Sequence, residues 1–279
     1  MARTPVRLLP RLAWTALGLL GALPASALDG REIMQKHEEA RKIVTFTAKA
    51  LLVSKKGDGT TKEKTFLISR KLKADGVHFN LLTRFLAPAE VKGEAILFLE
   101  NDKGENDILL YLPAYQKVRR VERAQQSSSF MGSDFSYSDI TTPHVDDYVH
   151  ALKGEEACPA AAHAETSPGK PATCYKVEAK PATDSIRERT GYGRILSWVR
   201  KDNFMLVQNE NYDAGDVLLK TSVLSDIEKR PSGKWFTKTI AVTTKKDGAS
   251  TTLKFTDVKT DLPLEDSLFT QSALAKGGK

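Results

Sequence analysis

The stretch Val77-His78-Phe79-Asn80-Leu81-Leu82-Thr83-Arg84-Phe85 decides the fold class. In an extended chain Val77, Phe79, Leu81, Thr83 and Phe85 fall on one face, and His78, Asn80 and Arg84 on the other. One face meets an apolar interior and the other water, the signature of an antiparallel sheet. Turn signals bound the stretch. Asp75-Gly76 precedes it, and Gly57-Asp58-Gly59 separates two further runs at 45–54 and 61–72. Shorter strands follow at 95–100, 107–112 and 115–121. After residue 173 the same texture returns at 174–180, 194–200, 204–212, 216–227, 234–244 and 249–258, with turns at Lys201-Asp202-Asn203, Ala214-Gly215 and Lys246-Asp247-Gly248.

Two segments break the β texture. Ahead of the first strand, Asp29 is an N-cap, and Ile33, Met34, His37, Ala40, Arg41 and Val44 recur at helical spacing, so an amphipathic helix is expected to pack on the sheet. Between 123 and 151 a polar loop leads into short helical turns, and 144–152 reads as a helix with Pro143 at its start. The expected fold is therefore mainly β with helices, an α+β arrangement. A sheet of roughly ten or more strands must curl or split, and a curled antiparallel half-barrel, with the N-terminal helix and a mid-chain helical lid, is the economical solution. No repeat and no linker divides it, so residues 28–279 are expected to form one domain.

The N-terminus points to export. Arg3, Arg7 and Arg11 precede an apolar run from Leu12 to Leu23, and Ala25-Ser26-Ala27 places small residues before a cut at Leu28. The run is shorter than the ~20 residues of a membrane-spanning helix, so residues 1–27 read as a cleaved signal peptide rather than a retained anchor. The expected product is a soluble, monomeric periplasmic protein. Cleavage removes three arginines and no acid from a chain of formal charge +7, and the remaining bases are scattered, which excludes a nucleic-acid binder. In an oxidising compartment Cys158 and Cys174, on either side of an Ala-, Pro- and Gly-rich loop, are expected to pair. A metal pair is the other reading, but no suitably spaced ligand completes it.

Catalytic signatures are missing. The chain holds no G-x-S-x-G, H-E-x-x-H, phosphate-binding glycine loop or G-x-G-x-x-G. Asp146 and His150 would share a face if helical, yet two ligands on one turn do not make a metal site. Ser127-Ser128-Ser129 lacks a base to activate it. No enzyme activity, metal or cofactor is expected. What stands out is a greasy set in a polar, serine-rich loop: Phe130, Met131, Phe135 and Tyr137. Met adapts to irregular ligands and aromatic rings give large contact area. These residues either line the mouth of a cavity or plug the core beneath a loop, and both readings stand. On the preceding strand Arg119 and Arg120 point to opposite faces, so one can meet cargo head groups or the acids Asp134 and Asp139 while the other faces solvent or a partner.

The strings YLPAYQKVRRV (111–121) and SSSFMGSDFSYSDI (127–140), with FLAPAEVKG (85–93) upstream and LFTQSAL (268–274) near the end, resemble the periplasmic outer-membrane lipoprotein-sorting proteins, relatives of the LolA-type carriers. The segment 158–174 looks like an insertion into that pattern. The resemblance implies an unclosed half-barrel that holds acyl chains of lipids or lipidated proteins between its concave face and helices, and passes them between envelope partners, an inner-membrane exporter of the resistance-nodulation-division type and an outer-membrane acceptor. The alternative is an envelope subunit that caps or regulates such an exporter without shuttling. On either reading Phe79, Leu81, Phe85, Phe130, Met131, Phe135 and Tyr137 are the expected ligand-binding residues, and Arg119 and Arg120 the expected head-group or partner contacts.

Overall fold

A computed structural model of the protein describes Met1 and residues 28–101, 106–141, 143–162, 165–167 and 169–276; the expected signal peptide, Met1 apart, lies outside them. Helix α1 (Gly30–Ala40) leads into β1 (Thr45–Lys55), β2 (Thr61–Leu72), β3 (Phe79–Ala87), β4 (Ala95–Leu99), β5 (Asp107–Leu112) and β6 (Lys117–Arg120). A mid-chain segment holding α2 (Tyr137–Ile140) follows, then β7 (Tyr148–Ala157) and the short pair β8 (Glu165–Ser167) and β9 (Lys170–Pro171). The chain continues through β10 (Thr173–Pro181), α3 (Asp184–Thr190), β11 (Arg194–Arg200), β12 (Leu206–Tyr212), β13 (Leu218–Lys229), β14 (Trp235–Thr244), β15 (Ser250–Thr260) and α4 (Gln271–Lys276).

Thirteen of these strands form one sheet in the order β6-β5-β4-β3-β2-β1-β15-β14-β13-β12-β11-β10-β7. Every neighbouring pair is antiparallel, and the two arms are joined where β1 lies along β15, Leu52 opposite Leu253. The sheet is open and curled, an α+β half-barrel. The order has a topological consequence. β6 and β7 are the two edges, yet they are consecutive strands of the sheet in the chain. Residues 121–147, which connect them, must therefore run from one rim of the curled sheet to the other and cross its mouth.

The concave face carries the principal core: Phe46, Ala48, Ala50 and Leu52 of β1, Phe66 and Ile68 of β2, Leu81 and Phe85 of β3, Phe236 and Val242 of β14, and Leu253 and Phe255 of β15. Their alternation is the period-2 pattern read from the sequence. Helix α1 is started by a capping box, in which the Asp29 carboxylate accepts from the Glu32 amide and the Glu32 carboxylate from the Asp29 amide. It buries Ile33 against Val177, Val199 and Leu206. Its first turn presses on β7 so closely that a Cβ at Gly30 would lie 2.8 Å from the backbone of Ala151 and Leu152. Val44, assigned to the helical stripe by spacing, lies beyond the helix and is exposed.

Two expectations are corrected. The outer face of the sheet is not left to water throughout. Leu82, Ala95, Leu97 and Tyr111 on that face are buried beneath Phe269 and Leu274 of the C-terminal segment. Residues 144–152 are not a helix either: a 3-10 turn at Val145–Asp147 runs directly into β7. β-branched and aromatic residues at 148–149 and pairing with β10 outweigh the weak helical signal of the preceding acids. Asp146 instead pairs with Arg31 of α1, and His150 Nε2 donates to the Val145 carbonyl at 3.0 Å.

Cys158 and Cys174 are disulfide-bonded. The bridge closes the insertion onto the outer face, where both cysteines pack with Ala162, Ala172, Leu196, Trp198 and Val207. The insertion thus gives this end of the sheet a small core of its own. Replacing both cysteines by serine is expected to lower unfolding free energy by ~3 kcal/mol, the chain-entropy value for a loop of this length. Denaturant titrations of the oxidised protein and the double variant measure it. Stability within ~0.5 kcal/mol of the parent would show that Leu196, Trp198 and Val207 hold the insertion by themselves.

Candidate functional site

A cavity of about 370 Å³ lies between the concave face, α1 and the 121–147 segment. That is within the range of small-molecule sites, ~300–1,000 Å³. Its walls come from β1 and β2 (Phe46, Phe66, Ile68), from β14 and β15 (Ile240, Leu253, Phe255), and from the covering segment (Phe130, Phe135, Ile140). Most of the lining is apolar. One end is not: His37, Glu38, Arg41, Arg70 and His144 enter it together.

The covering segment reaches both arms of the sheet. Phe130 is 1% exposed, and its ring packs on Phe85, Phe98 and Tyr137 at centroid distances of 6.4, 6.5 and 5.6 Å. Polar ties run to the other arm. The Asp139 carboxylate accepts from the Tyr192 hydroxyl at 2.7 Å and from Lys220 Nζ at 2.9 Å. Thr251 donates to the Asp134 carboxylate at 2.6 Å. Lys220 and Asp139 are both nearly buried, which strengthens the pair relative to a surface one. Between these anchors the backbone turns through Met131 (φ 53°) and Gly132 (φ 73°). Glycine takes that conformation without cost, whereas at Met131 it is held by the surrounding contacts.

The residues expected from sequence to bind a ligand are distributed as follows. Leu81, Phe130 and Phe135 line the cavity. Phe85 lies behind Phe130, against Phe66, and Met131 and Tyr137 pack on the same core from the rim. Phe79 lies beneath a guanidinium, with Arg70 Cζ 3.4 Å from its ring centroid. Arg120 is on the outer side of β6, paired with Asp107 at 2.9 Å, and Arg119 is on the inner side, exposed at the rim. Neither arginine meets Asp134 or Asp139. Those acids are taken by Thr251, Lys220 and Tyr192, a correction that follows from topology: β13 and β15 pass beneath the covering segment, whereas β6 lies at the sheet edge.

The polar end was missed, although its signals were available. Arg70 stands two residues beyond Ile68 and four beyond Phe66, which places it on the apolar face of β2 by parity. Arg41 continues the α1 stripe from Ile33 and His37. The geometry there is dense. The Glu100 carboxylate, 3% exposed as a residue, accepts from the Phe79 amide at 2.7 Å. His144 stands between two acids, Nε2 3.4 Å from Glu100 and Nδ1 3.9 Å from Glu38. Those two carboxylates raise the His144 pKa to about 9, so its ring is cationic at neutral pH. His37 behaves oppositely: burial lowers its pKa to about 3, leaving a neutral ring whose Nδ1 is 2.9 Å from the Phe204 carbonyl. Burial also lowers Arg70, to about 9. Among the described residues no cluster of three or more potential ligands for a metal occurs.

Comparison with known proteins places the fold. A domain from Vibrio parahaemolyticus described as an outer membrane lipoprotein-sorting protein superposes with TM-score 0.79 at 24% identity, over 88% of this chain and 98% of that one. A LolA superfamily protein from Nitrosomonas europaea superposes with TM-score 0.68 at 22% identity, over 88% and 100%. A DUF1329 family protein from Desulfovibrio piger is 28% identical, with TM-score 0.79 over 88% and 97%. A family model described as "-like: Uncharacterized protein" matches residues 79–276. The chain belongs to the family of that model, and its fold is LolA-like. No curated protein matches it in sequence. The chain carries its disulfide-bonded insertion on the outer face, away from the cavity. No described helix is long and apolar enough to cross a membrane.

Proposed function

We propose that this LolA-like protein is a periplasmic carrier, not an enzyme, that encloses acyl chains of lipids or lipidated proteins and passes them between an inner-membrane exporter of the resistance-nodulation-division type and an outer-membrane acceptor. One observation carries the reading: an apolar cavity lies on the concave face of an open sheet, under a segment that joins the sheet's two edges. Residues 28–279 act on this reading as one half-barrel domain, released from a signal peptide at residues 1–27. Leu81, Phe130 and Phe135 contact the chain directly. Phe79, Phe85, Met131 and Tyr137 shape the wall behind them, and Arg119 at the rim is available to a partner.

Native mass spectrometry of protein purified from the periplasm tests this. A lipid bound one to one, which moves to acceptor vesicles on incubation, is the expected result. Bound lipid that never transfers, together with stable exporter binding, would replace the shuttle by a capping or regulatory subunit. Absence of any lipid after exposure to vesicles would remove the carrier reading altogether.

A further inference from the structure

The apolar wall of the cavity comes from the middle of the sheet, β1, β2, β14 and β15. Toward the β7 edge the same concave face turns polar without turning charged. Ser197, Asn209 and Ser222 stand directly opposite one another on β11, β12 and β13, and all three line the cavity. The next row holds Asn211, which also lines the cavity, opposite Lys220. Lys220 is paired with Asp139 of the covering segment, so the band as a whole is neutral. Part of its hydrogen bonding is internal, since the Ser197 hydroxyl donates to Asn209 Oδ1 at 2.7 Å. The Tyr192 hydroxyl gives its one proton to Asp139, so toward the Asn211 side chain beside it that oxygen can only accept. The contact uses the Asn211 NH2 and leaves its Oδ1 over. That oxygen is buried, in a residue 6% exposed, and has no hydrogen-bond partner among the described residues. A buried acceptor left unpaired is costly, and a donor brought into the cavity by a ligand removes the cost.

We infer that the β11–β13 band is a subsite for the neutral, hydroxyl-bearing head of an acylated polyol, such as a glyceryl ester, with Asn211 Oδ1 accepting from a head-group hydroxyl while the acyl chain lies on the apolar wall. The inference rests on the carrier reading and narrows its cargo. Serine and asparagine side chains both donate and accept, as hydroxyls do, so a polyol can satisfy the band in either sense. A charged head gains nothing there, because Lys220 and Asp139 already answer one another. A few placed polar groups in a mostly apolar pocket fix how a ligand lies in it, and here they set the head toward the β7 edge. The position also couples cargo to the covering segment. A head seated on Asn211 lies next to Tyr192, which is one of the ties that hold Asp139 down.

The test uses the glyceryl and propyl esters of one pyrene-labelled fatty acid, titrated into the disulfide-bonded protein at neutral pH. The two share chain, ester and three-carbon head, and differ by two hydroxyls. Water holds the glyceryl ester back more strongly, so tighter binding of it requires hydrogen bonds inside the cavity. The glyceryl ester is expected to bind about 10-fold more tightly than the propyl ester. In Asn211→Ala the preference should fall toward unity through weaker glyceryl binding, and Asn209→Ala should lower it in part. Circular dichroism reports whether each variant folds, and the wild-type preference stands independently of the variants. Equal affinity of wild type for the two esters assigns the band to bound water, overturning the subsite and leaving the carrier reading intact. Binding of neither overturns the carrier reading and the subsite with it. Tighter binding of the free, anionic fatty acid than of the glyceryl ester refutes the neutral head. A preference undiminished in both folded alanine variants refutes its placement on this band.

Discussion

Phe130→Ala is expected to lower unfolding free energy by ~3–5 kcal/mol, the cost of deleting a fully buried phenylalanine ring. The ring meets Phe85 and Phe98 on one arm of the sheet and Tyr137 in its own segment, so little can collapse into the space it leaves. The same substitution reports on gating. For an acyl chain to enter, Phe130 and Phe135 must leave the concave face, and at ~25 cal/mol per Å² of apolar area each ring adds several kcal/mol to the opening cost. If the segment opens as a unit, its alanine variant opens more often. Amide exchange across residues 126–140 should then accelerate by about 100-fold or more, since each 1.4 kcal/mol is a factor of ten. Exchange in β1 and β15 should change only through global unfolding. Acyl-probe association should speed up in the same variant, because less of the binding energy is spent on opening. If the lid amides and the central strands instead lose protection by the same amount, the segment is a fixed part of the core and does not gate the cavity. The Lys220–Asp139 pair and the Thr251–Asp134 hydrogen bond must also break on opening, so Lys220→Met should move lid exchange in the same direction.

The sheet was legible because its pattern is repetitive. Period-2 alternation through 45–85, turn signals at Gly57-Asp58-Gly59 and Asp75-Gly76, and the meander after residue 173 each specify local pairing, and antiparallel hairpins need nothing more. What local pattern cannot carry is the pairing of β1 with β15, which joins strands far apart in the chain. Without it, β6 and β7 are not recognised as edges, and a segment crossing the mouth is only a polar loop with aromatic residues. The outer face failed for a related reason. Leu82 breaks the alternation of β3, and it is buried in a cluster that includes Phe269 and Leu274 near the other end of the chain. The polar end of the cavity was hidden in plain parity: Arg70 shares a face with Phe66 and Ile68, and Arg41 continues the stripe of Ile33 and His37. Charge alone does not place a side chain in solvent, and the apolar neighbours of Arg70 at i−2 and i−4 argue the reverse. The two open readings of Phe130 are not exclusive in the structure, since its ring both lines the cavity and belongs to the core.

Two histidines with opposite shifts give stability a maximum near the ordinary histidine pKa, about 6.5. His144 is raised to about 9 by Glu100 and Glu38. Its folded form binds the proton more tightly than its unfolded form, so the stabilisation is fully present below about pH 6.5 and is lost as pH rises through 9. The ring is partly exposed, so the loss expected across that window is ~1–2 kcal/mol rather than the full value of the shift. His37 is lowered to about 3 by burial, with Arg41 adding to the effect. Here the unfolded chain takes up a proton that the folded chain refuses, and stability falls as pH drops below about 6.5, by up to ~1.4 kcal/mol per pH unit. His150, lowered by burial as well, tilts the curve the same way. Between about pH 6.5 and 5 the ordinary carboxylates remain ionised, so the slope there belongs to these two rings. Urea titrations across the range should trace an arch. His144→Ala should flatten its alkaline limb and leave the acid limb in place, while His37→Leu should flatten the acid limb. An alkaline limb that persists in His144→Ala would mean that Glu100 and Glu38 do not hold the proton on His144.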